Sequence, residues 1–306
     1  MFSWLLYGPL IVSLLAAALF AGATRPSSAS LPTPVRVTTG IGSASAIGLV
    51  LVQDAWWSAP WLFPIPFPYL GSDTSLIFTI RLMLPLIACS IALIIIAVPP
   101  PKPGPRGSAA LAPRNPLTYA PTSWLWALTV TTVALAVVSV LAGLLSSTDE
   151  FGRHTMYEVE ANDSSAATTI YGWWFSAWGL IAVLVVFAIA FVGLVVISRP
   201  ALGVDHESDA IARRTRSRNL VIMATGGILL HFSAVLTSLA GTSSLALSFQ
   251  AGSAGMITLG TSFAALGPVL GVVGWLAFPA GLAMWWFVLF SIVPLRARRL
   301  TASATP

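Results

Sequence analysis

Charge is the scarcest commodity in this chain. Asp, Glu, Lys and Arg make up 8% of its 306 residues, against about 25% in soluble domains. Hydrophobic residues reach 57% and the mean hydropathy is +0.87, more than any soluble core needs. Cysteine is nearly absent as well. Cys89 stands alone, which excludes a disulfide within the chain and any multi-cysteine metal or iron–sulfur site. The one lysine, Lys102, falls in a loop, so no lysine is placed to form a Schiff base inside a membrane. Of the three histidines only His231 falls inside an apolar run, and one imidazole cannot ligate haem from both sides.

Catalytic patterns are missing too. The chain has no His-Glu-x-x-His, no P-loop, no Gly-x-Ser-x-Gly elbow and no pair of carboxylates within an apolar run. Acid–base and metal chemistry within a bilayer therefore lack their usual parts, and we expect no enzyme, no cofactor and no metal. The net charge of +5 and pI near 10.0 come from dispersed residues rather than a basic stripe, so no nucleic-acid partner is expected.

What is present is apolar sequence in long runs. The clearest lies between Asp163 and Arg199, an uncharged stretch centred on Gly179 to Ile197. About 20 apolar residues in a helix cover the hydrocarbon layer, and only a helix satisfies its own backbone there. An aromatic cluster, Tyr171 to Trp178, and an acidic loop flank it on one side; Arg199 and a basic loop flank it on the other. The acidic side then faces out and the basic side faces the cytoplasm.

Six more runs fit the same template, giving expected spans at about 2–23, 37–55, 75–98, 124–145, 173–197, 220–240 and 269–293. The fold class is therefore all-α, a polytopic bundle of about seven spans with the amino terminus out and the carboxyl terminus in. The first run lacks a preceding positive charge and is followed by Arg25, which favours a retained helix over a signal peptide. Thirteen of the fifteen Lys and Arg residues then fall inside: Arg25 and Arg36; Lys102, Arg106 and Arg114; Arg199, Arg213, Arg214, Arg216 and Arg218; Arg296, Arg298 and Arg299. Multi-pass insertion in the cell (plasma) membrane follows, with the lipid bilayer and other membrane proteins as partners.

Within this frame the second span carries Gly40, Ala44 and Gly48 at four-residue spacing, an expected face for close helix packing. The aromatic and proline-rich stretch Trp56 to Tyr69 reads as a stiffened outer loop, and 99–121 as a cytoplasmic linker. In the outer loop Ser146 to Ile170, Thr155 to Glu160 alternates as a short strand does, so a compact hairpin fits. His154 and Met156 beside Glu158 and Glu160 lack the convergent ligands of a metal site. Residues 199–218 read as a short amphipathic surface helix, and Gly241 to Gly267 as a partly helical or re-entrant outer segment.

Three polar residues inside the spans form the candidate ligand site: Asp54, Arg81 and His231. Arg81 lies shallow in the third span with Asp54 as its expected partner, and reads either as a snorkelling structural ion pair or as a solute contact. Pro85 removes the donor that the Arg81 carbonyl would use in a regular helix. His231 reads as a hydrogen-bonded structural residue, as a proton or substrate contact, or with Cys89 as part of a soft-metal site.

The outer loop Ser147-Thr-Asp-Glu-Phe-Gly-Arg153, leading through Thr169 to Tyr171-Gly-Trp-Trp174, together with Ala/Val/Gly-rich spans and one lysine, resembles polytopic membrane proteins of high-GC actinobacteria. The resemblance is compositional and topological and implies no activity. The function expected from the sequence is an accessory, assembly or sensing component of a membrane complex. The alternative is a transporter or channel for a small solute, with Asp54, Arg81 and His231 along its path.

Overall fold

Among the described residues, seven α-helices follow the apolar runs: α1 (Phe2–Thr24), α2 (Thr33–Ser58), α3 (Thr74–Ala97), α4 (Thr122–Leu144), α5 (Trp173–Ser198), α6 (His206–Ser243) and α7 (Gly267–Phe290). The computed structural model describes residues 2–24, 31–58, 74–98, 115–161, 164–198, 206–250 and 256–293. Most of the expected inner linker, most of the proline-rich outer loop, and the Arg296 to Arg299 tail lie outside the described residues; the end of the linker is described and forms a 3-10 turn, Pro116–Tyr119. Helices α2 to α7 are each long and apolar enough to cross a membrane.

The centre of the bundle is α6, which touches α3, α4, α5 and α7, while α1 lies against α7 and α2 between α3 and α7. Its sequence explains the position. Gly226, Gly227, Thr225 and Ser233 give α6 a small, hydrogen-bonding surface, which is what holds helices together where lipid competes for every apolar side chain. At the α6–α7 crossing, a Cβ placed on Gly226 would stand 2.9 Å from the Gly281 carbonyl oxygen, and one on Gly281 would stand 2.8 Å from that of Gly226. The indole Nε1 of Trp285, itself fully buried, donates to the Met223 carbonyl at 3.0 Å. On the other side of α6, Gly227 lies against Cys89 of α3, whose thiol reaches the same carbonyl at 3.4 Å.

The packing face of α2 matches the expected one only at Gly40, where a Cβ would stand 2.9 Å from Ile292 Cδ1. Ala44 is exposed, and a Cβ on Gly48 would meet nothing within 4 Å. The buried stripe is Thr39, Ser43, Ala46, Ile47 and Val50, with Gly42 against the Ala92 carbonyl of α3. Both stripes have helical spacing, small residues and apolar continuations, Ile47 and Val50 on one and Leu51 and Val52 on the other, so spacing alone does not choose between them.

Residues 206–218 also depart from expectation. They continue into α6 as one 38-residue helix rather than forming a separate surface helix. Arg213 and Arg216 are 3% and 5% exposed. Arg213 pairs with Asp209 at 2.8 Å and donates to the Ile197 carbonyl at the end of α5, while Arg216 donates to the Val98 carbonyl just beyond α3 at 3.4 Å. Helix carboxyl ends present carbonyls without donors and a partial negative charge, so guanidinium groups are drawn to them rather than to headgroups.

At the opposite end of the bundle lie two β units. Strands β1 (Ser147–Thr148), β2 (His154–Ala161) and β3 (Ser164–Thr169) form an antiparallel sheet, with Met156 opposite Thr169 and Glu160 opposite Ser165. Thr155 and Tyr157 are buried and Glu158 and Glu160 exposed, as the alternation requires. Strands β4 (Ala246–Gln250) and β5 (Met256–Gly260) make a second hairpin where a helical or re-entrant segment was expected. The Tyr157 hydroxyl joins the two units, 3.0 Å from Ser262 Oγ and accepting from the Ser262 N–H at 3.1 Å.

Asp149 organises the β1–β2 turn. One carboxylate oxygen accepts from the N–H groups of Phe151 and Arg153 at 2.9 and 2.8 Å; the other accepts from Arg153 Nε at 2.9 Å and Thr155 Oγ1 at 3.0 Å. Gly152 takes the left-handed conformation the turn needs, at φ 73°. Partial desolvation opposes ionisation of Asp149, but the Arg153 and Thr155 donors and the Phe151 N–H outweigh it and hold the carboxyl below its ordinary range. A depressed folded-state value means that the turn's stabilisation is complete above the unfolded value of about 3.9 and is lost as pH falls through the folded value. Amide exchange at Phe151 and Arg153 should accordingly be slow at neutral pH and accelerate only on strong acidification. Acceleration near pH 6 would contradict this.

Candidate functional site

A cavity of about 450 Å³ lies in the half of the bundle nearest the β units, among α2, α3, α6 and α7, with Pro9 of α1 at its edge. Asp54 and Arg81 both line it. Their placement follows from the helices that carry them: Asp54 stands in the last turns of α2, and Arg81 lies about 10 Å along α3 from its first residue. Arg81 is exposed at the mouth and Asp54 half-buried.

The expected direct ion pair does not form. The Arg81 guanidinium instead lies over the Trp57 ring, 4.6 Å from its centroid, and the two charges influence each other through space. Trp57 stands one helical turn from Gln53 and next to Ser58 at the end of α2, which places its ring on the cavity side. A guanidinium stacked on an indole face gains cation–π attraction and keeps its N–H edge free.

The proline break in α3 is closed by the helices beside it. Pro85 leaves the Arg81 carbonyl without a helical donor, and Gln53 Nε2 of α2 supplies one at 2.6 Å. One residue on, the Leu82 carbonyl accepts from His231 Nδ1 of α6 at 2.8 Å. A carbonyl only accepts, so the imidazole proton sits on Nδ1, and Nε2 is left to accept from the Tyr171 hydroxyl at 3.2 Å. Gln53→Leu is expected to cost about 1 kcal/mol of bundle stability, since membrane-embedded hydrogen bonds are modest. Denaturant unfolding of the purified protein checks it; a loss above about 3 kcal/mol would show that Gln53 does more than satisfy this carbonyl.

His231 therefore stands apart from the other two candidate residues. It is fully buried among Leu82, Tyr171 and Gly179, on the side of α6 that faces α3 and α5, and does not line the cavity. Both ring nitrogens of His231 are engaged in hydrogen bonds, and the Cys89 thiol donates to the Met223 carbonyl.

The rest of the polar lining comes from Gln53, Ser233, Thr237 and Ser238. Ser233 Oγ donates across to the Gly274 carbonyl of α7 at 2.7 Å, and Thr237 Oγ1 donates to the Ser233 carbonyl at 2.8 Å. Their spacing along α6 marks one face, but hydroxyls in membrane helices so often bond their own backbone that spacing alone does not distinguish a cavity wall. Toward the other end of the bundle the lining stops at Val50, Pro85, Leu230 and Phe278; the next turns are the Gly226–Gly281 and Gly227–Cys89 contacts.

A second groove of about 730 Å³ lies between the three-stranded sheet and the start of α3. Asp149, Glu150, Arg153 and Glu158 line it, and Phe78 lines both it and the cavity. His154, on the same strand, directs Nδ1 to the Ser146 carbonyl at 3.2 Å. No family model, curated protein or solved structure matches this chain.

Proposed function

We propose that this protein is a non-catalytic sensing or accessory component of the cell membrane that holds a small polar solute in the outer half of its bundle. In this reading all seven helices cross, with the amino terminus outside and the carboxyl terminus inside. Exposed Glu150, Glu158 and Glu160 at the β end, and Arg213 and Arg216 at the other, support that orientation. The observation that carries the reading is the cavity shared by Asp54 and Arg81, which ends where α6 meets α7 backbone to backbone. A cavity closed at one end suits retention of a ligand.

A small-solute transporter would draw on the same cavity but loses its third expected contact, His231, to the proline stitch. The reading is tested by native mass spectrometry on protein extracted gently from its own membranes. Wild type should retain a small-molecule mass that Asp54→Asn and Arg81→Gln both lose while remaining folded. Identical spectra for all three proteins would contradict a ligand at this site.

A further inference from the structure

The cavity holds one charge of each sign and no direct bond between them. Opposite charges in surroundings of low dielectric attract strongly, so a separation maintained by the fold leaves two incompletely satisfied groups facing one volume. Arg81 has its guanidinium face on Trp57, which leaves its N–H edge for a planar or tetrahedral oxyanion. Asp54 offers only lone pairs. Ser233 and Thr237 have their protons committed to backbone carbonyls, so on the cavity side their hydroxyls also act as acceptors. An anion alone would leave Asp54 facing like charge, and a cation alone would do the same to Arg81.

Resting on the reading of this cavity as a binding site, we infer that it takes a zwitterion: a carboxylate or phosphate on Arg81 and a primary ammonium on Asp54 and its neighbouring acceptors. The volume of about 450 Å³ accommodates such a molecule. Arg81 is exposed at the mouth, at a depth that headgroups reach, so a free amino acid and a phosphatidylethanolamine headgroup are two sources of the same chemistry.

The test is thermal unfolding of the full chain in detergent micelles. The probes are glycine, alanine and β-alanine; propionate and propylamine, which each carry half of the zwitterion; and dioleoyl-phosphatidylethanolamine against dioleoyl-phosphatidylglycerol. A zwitterionic probe should raise the midpoint with half-saturation at least about tenfold lower than either half-ligand. Arg81→Gln and Asp54→Asn should each abolish the rise.

Response to the amino acids alone identifies a free solute, and response to phosphatidylethanolamine alone identifies a headgroup; either supports the inference. Equal protection by a half-ligand or by phosphatidylglycerol overturns it while leaving the binding site intact. Protection that survives Arg81→Gln also overturns it. No protection by any zwitterion overturns it as well, and the retained mass in the native spectrum then decides whether the binding reading falls too.

Discussion

His231→Ala is expected to destabilise the bundle by about 4 kcal/mol or more without emptying the cavity of its ligand. The substitution removes a fully buried ring and leaves a void beside Gly179, for which comparable aromatic truncations cost about 3–5 kcal/mol in soluble cores. It also strips a donor from the Leu82 carbonyl and an acceptor from the Tyr171 hydroxyl, each worth about 0.6–1.7 kcal/mol in a membrane. His231→Phe refills the volume but not the bonds, so it should lose about half as much. Denaturant unfolding of the three proteins, with native spectra alongside, separates the roles. Wild-type stability with loss of the bound mass would return His231 to the site.

Gly226→Val should be damaging as well. A Cβ at this position would meet Trp285 Cδ1 at 2.7 Å and the Gly281 carbonyl at 2.9 Å, and a backbone oxygen cannot rotate away as a flexible side-chain tip can. α6 and α7 must separate, which also strains the indole bond to Met223. Overpacking of this kind costs about 1–3 kcal/mol where neighbours relax, so at a backbone crossing the upper end or loss of folded protein is expected. Gly241→Ala is the control, since a Cβ there meets nothing within 4 Å, and its unfolding midpoint should stay at the wild-type value. Equal stability of Gly226→Val and Gly241→Ala would contradict the crossing.

The helices were legible in the sequence because the bilayer imposes length and apolarity on every crossing. The same rule hid the centre of the molecule. α5, the most apolar run, lies at the periphery with Leu184, Phe191 and Val192 exposed, while the central α6 is rich in Gly, Ser and Thr and carries four arginines in its first turns. Hydropathy reports what faces lipid, and the bundle's interior is built from the residues that hydropathy undervalues.

At the site, Asp54 and Arg81 were legible because charge near a span has few inexpensive places to go. The orphaned Arg81 carbonyl was legible from Pro85, but its partner Gln53 was not, since no local pattern tells which neighbouring helix will supply the donor. Burial of Arg213 and Arg216 was invisible for a related reason. Their carbonyl partners lie on α5 and beyond α3, distant in sequence and adjacent only once the helices are assembled.

The account's central claim is that the cavity opens on the outer side and ends at the glycine seam. Cys89 lies in that seam and is the chain's only thiol, so it serves as its own reporter. A membrane-impermeant methanethiosulfonate applied to intact cells should leave wild-type Cys89 unmodified and label Ser238→Cys in a Cys89→Ser background. Labelling of Cys89 at a comparable rate, or labelling of Ser238→Cys only once the cytoplasmic face is exposed, would contradict it.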